Sequence, residues 1–290
     1  MKRALKSPLL WVFVLAGAVL IGVTAFLLAD PKTSRGDALK TGGLAGGAIA
    51  ALYGLWLNDR RRRTEEDRHE IERARISDER FAKAIELLGS DADQVRVGAM
   101  HALAGVARTR PEYIQTVLDV LCAYLRRPFD SPDFSAATTD LAREWSAEEK
   151  ADSNRERLVR RAAERLIRDI LPWAGTTGPT FGLNLSDARI DRLNLTARRV
   201  GWLGLSRSQI LHALDLEDTE LSGKVHLDNV ECYGNLKFLR TVSKRDITMR
   251  ELNAHRPVDF GELTHAVRPD VTGARFPEGS VLLAEVPEVS

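Results

Sequence analysis

The chain has 290 residues, 29% of them charged, with a net charge of +1, enough for two modest domains with appendages. A balance this close to neutral argues against nucleic acid as a partner, because a general binder shows a basic excess. The two cysteines, Cys122 and Cys232, lie in different segments; that excludes a disulfide framework and reads as two buried free thiols in a reducing compartment.

Pro8 to Leu28 carries no charge over 21 residues, enough to cross a bilayer core of about 30 Å. Lys2, Arg3 and Lys6 precede it, and no small-x-small pair precedes Asp30, so an uncleaved anchor fits better than a secretory signal. After a polar turn, Gly42 to Leu57 is apolar again, stretching to 39–57 with Lys40 snorkelling, and runs into Arg60, Arg61, Arg62 and Arg63. Basic clusters outside both runs predict a transmembrane hairpin over 1–57, with spans 8–28 and 39–57 and both termini on the cytoplasmic face of a bacterial inner membrane. Gly42, Gly46, Ala50 and Gly54 recur every four residues, a ridge suited to close packing within the hairpin, with Ala18 and Gly22 opposite. A homodimer contact is its second reading. The arginine cluster also suits contact with anionic membrane lipid.

Residues 58–77 are almost wholly charged, and opposite charges three or four apart, such as Arg68 and Glu72, predict a solvated juxtamembrane helix. From Asp78 the pattern turns amphipathic. Phe81, Ala84, Ile85 and Leu88 make one face; Val95, Ala99, Met100, Leu103, Val106 and Ala107 a second; Ile114, Val117, Leu118, Leu121, Cys122 and Leu125, after Pro111, a third. Three short helices over 78–127 suggest an α-solenoid fragment. Residues 128–154 read as a linker with a short helix around Leu141–Trp145. Residues 155–172 read as a helix capping the C-terminal segment, since an open coil exposes unpaired strand edges.

Beyond residue 181 the period changes. Leu185, Ile190, Leu195, Val200, Leu205 and Ile210 recur every five residues, a spacing that neither a helix nor a strand has. A chain that buries every fifth residue turns a corner after each, and four corners close a square coil. Leu216 and Leu221 continue after a one-residue slip. Val242, Ile247 and Leu252 suggest a second register, and Val271, Phe276, Val281 and Val286 a third. Asn184, Asn194, Asp215, Asp246 and Asp270 come just before an inward position, where short polar side chains bond to corner backbone.

These residues resemble the pentapeptide-repeat family, whose unit runs Ala-Asp/Asn-Leu-x-x. The resemblance implies a right-handed quadrilateral β-helix over 181–290, and it is specific over 183–222. Ala188, Ser208, Thr219 and Ala274 match the family's small residue two before the centre, whereas Leu183, Leu193, Arg198, Leu203 and Leu214 depart from it. VRVGAMHALAGVA resembles the second half of a HEAT or armadillo unit. Together the segments resemble membrane-anchored bacterial pentapeptide-repeat proteins of the actinobacterial type, with an α+β fold class.

Chemistry is sought without a nominee. The six histidines are scattered with no His-x-x-x-His pair, and no nucleophile elbow or phosphate loop occurs, so no catalytic, metal or cofactor residue is named. Asp187 and Asp191 could face one another as paired carboxylates, but a solvated face is the plainer reading. The expectation is a membrane-tethered scaffold for an unidentified cytoplasmic protein. A DNA-mimicking topoisomerase regulator, as some members of that family are, is the alternative; residues 181–290 hold 16 acids against 14 bases, too balanced for mimicry. An enzyme with an unrecognised site is the third reading.

Overall fold

The computed structural model describes residues 14, 17–19, 21–22, 25–26, 35–138 and 144–281. It divides into two compact units, Met1–Ile76 and Ser77–Ser290.

In the first unit the described residues between 14 and 26 are helical. Helix α1 starts at Arg35 and runs 54 residues to Leu88. No proline interrupts it, so the expected breaks at 57 and 77 have no cause. Among the described residues no helix is long and apolar enough to cross a membrane. The apolar part of α1 is diluted by Gly42, Gly43, Gly46, Gly47 and Gly54 and by Tyr53 and Trp56, and it passes directly into charge. The expected transmembrane hairpin is therefore not supported; its first span lies mostly outside the described residues. Among the described residues, Gly54 and Gly22 each have nothing within 4 Å of the position a Cβ would take. The surroundings of Gly42, Gly46 and Ala50, and the side chains of Arg61, Arg62 and Arg63, lie outside the described residues. The Arg60 guanidinium sits over the Trp56 ring one turn back, 5.4 Å from its centroid.

The second unit begins with α-helices. α1 ends at Gly89-Ser90, whose N–H groups bond back to Glu86 and Leu87. α2 (Asp93–Thr109) buries Met100, Leu103 and Ala107, and α3 (Ile114–Leu125) buries Val117, Leu118, Leu121 and Leu125. α4 is short, Pro132–Thr138. The helix expected around Leu141–Trp145 falls partly outside the described residues, and Glu144–Ser146 are not helical. α5 spans Ala147–Ile170, eight residues longer at its start than its apolar pattern suggests. The reason is local: Ser146 accepts the Glu149 N–H while the Glu149 carboxylate accepts the Ser146 N–H, a reciprocal cap at a polar first turn.

The remainder is a parallel β-solenoid of about four turns, compatible with a pentapeptide-repeat fold. Leu183 pairs with Leu203, 20 residues on, but Leu203 pairs with Val225 and Val225 with Ile247, each 22 on. The coil thus grows by one residue per half turn. The turns show the same step: Asp187, Ala197, Arg207, Asp218, Asn229, Arg240, Glu251 and Glu262 all have φ between 53° and 62°, ten residues apart at first and eleven afterwards. Each is the third residue of a tight turn, as where the Ala188 N–H bonds to Leu185 O at 3.2 Å, and a left-handed third residue marks a type II turn. Asn184, Asn194, Asp215 and Asp270 brace neighbouring corners by accepting the N–H two residues on.

Leu185, Ile190, Leu195, Val200, Leu205, Ile210, Leu216 and Leu221 are all fully buried. Beyond them the inward centres alternate five and six apart through Leu227, Cys232, Phe238, Ser243, Met249, Ala254 and Phe260, all buried. The register expected from Val242 is therefore corrected, since Val242 is 40% exposed. Of the third register, Val271 and Phe276 do follow the centres Met249 and Ala254 in the coil above, with Phe276 packed against the core and Val271 exposed on the last coil, whereas Val281 pairs with Asp259 and so lies one residue before a centre. Ile247 and Leu252 are buried, but at the position two before a centre. That position is inward as well, which is why Leu183, Leu193, Leu203 and Leu214 can be large there without leaving the core. One apolar cluster runs from Ala84 to Leu263, joining the helices to the solenoid.

Candidate functional site

A first coil with nothing beneath it would leave a ring of unpaired backbone groups. The helical region satisfies it side by side. The Gln115 amide of α3 donates to Gly182 O at 3.0 Å and accepts the Gly182 N–H at 2.9 Å, imitating a strand. Pro172 to Ala174 pair antiparallel with Ala197 to Arg199. Along Arg189–Asn194 the cap is α5: Arg160 Nη2 donates to Arg189 O at 2.8 Å, and Glu164 Oε1 accepts the Asp191 N–H at 3.0 Å.

Asp191 sits where the coil first lengthens. Ile190 pairs with Ile210 but Arg192 pairs with Ala213, so a β-bulge sets one residue against Leu211 and His212. In the next coil Gly234 lies beneath that bulge, and a Cβ there would meet His212 O at 2.0 Å; only glycine lets the backbones approach. The bulge turns Asp191 under α5. Its side chain is 2% exposed, with Oδ1 2.6 Å from His212 Nδ1 and Oδ2 accepting from Arg161 Nε. His212 is 42% exposed. Holding Nδ1 orients the imidazole and leaves Nε2 as its remaining polar atom. Beside this pair Glu164 is almost fully buried. Burial pushes its carboxyl up to about 8, the neighbouring Asp191 adds to the rise, and N–H groups of Asp191 and Arg192 oppose it.

Next to this cluster α5 and the first coil enclose a cleft of about 330 Å³, lined by Arg161, Glu164, Arg165, Arg168, Arg192 and Asn194. Arg161, Arg165 and Arg168 share one face of α5, four and three residues apart. Arg161 is matched by Asp191, and Arg168 by Asp169 at 3.1 Å. Arg165 and Arg192 are exposed and have no acidic partner among the described residues. Elsewhere on the solenoid several charges are matched between coils: Asp187 with Arg207, Asp218 with Arg240, Asp228 with Arg250, Glu220 with Lys244. In the cleft two unmatched guanidiniums face one space.

Several expectations meet this geometry. Asp187 and Asp191 do not face one another: Asp187 forms a two-pronged pair with Arg207 at 2.7 and 2.8 Å, and Asp191 is buried rather than solvated. Arg198 and Arg199 precede the inward Val200, but they are not free surface charges. Arg198 is buried, its guanidinium 3.5 Å from the Trp173 ring centroid, and Arg199 donates to Thr176 O at 2.7 Å. Both thiols are free and buried, and burial pushes Cys122 up to about 12 and Cys232 to about 11. Sequence reasoning misses the Asp191–His212 pair and the arginine face of α5. The arginines are visible as RRAAERLIR, where the apolar face draws the eye, and the bulge is visible as the step from five to six after Ile210. No family model matches the chain, and no curated protein or solved structure does either.

Proposed function

We propose that this protein is a non-catalytic interaction scaffold, tethered at the cytoplasmic face of a bacterial inner membrane, whose platform is residues 77–290. The observation that carries this reading is the single core from Ala84 to Leu263, together with a first coil capped along its strands by side chains of α3 and α5. A body built that way presents long, regular outer faces held by stacking, which suits docking. The tether in this reading is the uncharged run Pro8–Leu28 with the basic residues that precede it.

The test is cross-linking of the full-length protein in its native membrane, comparing the wild type with Lys224→Glu and Lys237→Glu. Both residues are exposed, Lys224 just before the strand Val225–His226 and Lys237 at the end of the strand Asn235–Lys237. Loss of one discrete cross-linked protein in one variant, with an unchanged melting temperature, supports the scaffold and says which face it uses. Turnover of a small molecule by the full-length protein, abolished by one side-chain change, overturns it. A reporter fused after Ser290 that is active only outside the membrane overturns the placement.

A further inference from the structure

The cleft between α5 and the first coil goes beyond the scaffold reading, because it has the makings of a ligand site of its own. Four guanidiniums line it, and only two carboxylates, Asp191 and Asp169, answer them. Two positive charges, Arg165 and Arg192, stand on opposite walls, one on a helix and one on a strand. Like charges held in one cleft repel across it, and a folded chain tolerates that most readily where a counter-anion completes the site. Asn194 adds an amide that can donate from the strand side.

Charge and size narrow the anion. A single carboxylate brings one negative charge and two acceptor oxygens. A phosphomonoester brings roughly −1.5 to −2 at neutral pH and three terminal oxygens, matching two unanswered guanidinium forks and leaving an acceptor for Asn194. The cleft lies at the small end of the roughly 300–1,000 Å³ range of small-molecule sites, too small for a duplex and ample for a phosphate with a short appendage. Its walls come from the cap and from the coil, so an anion bridging them would clamp the two together.

We propose that the cleft lined by Arg165, Arg168, Arg192 and Asn194 binds a phosphomonoester group. The group could be carried by a soluble metabolite or by a lipid head, and the chemistry recognised is the same. Glu164 at the cleft's inner wall fits this use, since a carboxyl kept protonated does not repel the incoming anion.

The experiment titrates the full-length protein in detergent micelles with glycerol 3-phosphate, with dioctanoyl phosphatidic acid and with dioctanoyl phosphatidylglycerol, following heat and melting temperature. Saturable binding of glycerol 3-phosphate alone assigns a soluble ligand; binding of phosphatidic acid well above phosphatidylglycerol, a phosphodiester, assigns a lipid head. In either case Arg165→Gln and Arg192→Gln should each weaken binding at least tenfold. Without ligand, both variants should melt at or slightly above the wild-type temperature, because a repulsion is relieved; a residue with a merely structural role would lower it. Three results overturn the proposal: no saturable binding of any probe, equal binding of the monoester and diester lipids, or undiminished binding in the double variant. None bears on the solenoid-face variants of the scaffold test, so the two readings fail separately.

Discussion

Glu164→Gln isolates the most unusual ionisable group in the protein. Burial raises its carboxyl from 4.5 to about 8, so between those values the native state holds a proton that the unfolded chain has released. Stability then falls as pH rises across that window, by up to about 1.4 kcal/mol per unit, and is flat on either side. The full contribution is present below pH 4.5 and gone above pH 8, a loss on the order of 5 kcal/mol. Glutamine keeps the acceptor that Asp191's N–H uses at 3.0 Å and cannot ionise. At pH 5 the variant should lie within about 1 kcal/mol of the wild type. At pH 9 it should be the more stable by on the order of 3–5 kcal/mol. Urea denaturation of both proteins from pH 5 to pH 9, followed by tryptophan fluorescence, reads the difference directly. Parallel pH profiles, or a variant weaker at pH 9 than at pH 5 relative to wild type, would refute the reasoning.

The other predictions concern the coil and its cap. Leu195 is fully buried, so Leu195→Asp should cost roughly 3 kcal/mol or more, while Asn194→Ala and Thr196→Ala should cost about 1 kcal/mol or less; equal losses in urea midpoint would mean the inward position was misassigned. Ala197 holds φ at 57°, a region that strains any residue with a Cβ, so Ala197→Gly should raise stability by about 0.5–1 kcal/mol, and a loss would show that the turn tolerates alanine without strain. Gln115→Ala removes both bonds to Gly182 and leaves its backbone unanswered, which should cost about 1–3 kcal/mol and speed amide exchange at Gly182. Unchanged exchange there would show that the edge needs no cap.

How much of the molecule is legible in the sequence depends on whether local pattern or coil-to-coil pairing decides each element. The five-residue period from Leu185 to Ile210 is a local signal, because each inward leucine or isoleucine meets its own corner. Past Ile210 the centres alternate five and six, and Ser243 occupies one of them, so hydrophobicity alone slides to the exposed Val242. Helix boundaries escape for a different reason. α1 and α5 extend through polar stretches, α5 by virtue of a capping box and α1 for want of any proline, and apolar periodicity is silent in both. Asp191 is unreadable in kind: its burial comes from a helix about thirty residues earlier in the chain and a histidine one coil later, and a sequence window sees neither.

The bulge, the cap and the cleft have one physical origin. A coil that stayed at 20 residues would place Asp191 opposite a single partner and keep the first two coils in register. The extra residue at Leu211–His212 breaks that register once, in the second coil, next to the first-coil strand that α5 covers. The outer backbone of that strand is answered by side chains, from Arg160 and Glu164. A helix that covers an edge through long side chains cannot lie as close as a strand would, and the space left beside those contacts is the cleft. Restoring the shorter coil, by deleting Leu211 with its counterpart Tyr233, should therefore let the first two coils pair evenly and pull His212 away from Asp191. The chain should keep its β-sheet signal in circular dichroism and lose the cleft's anion binding. Retained binding would show that the cleft owes nothing to the bulge.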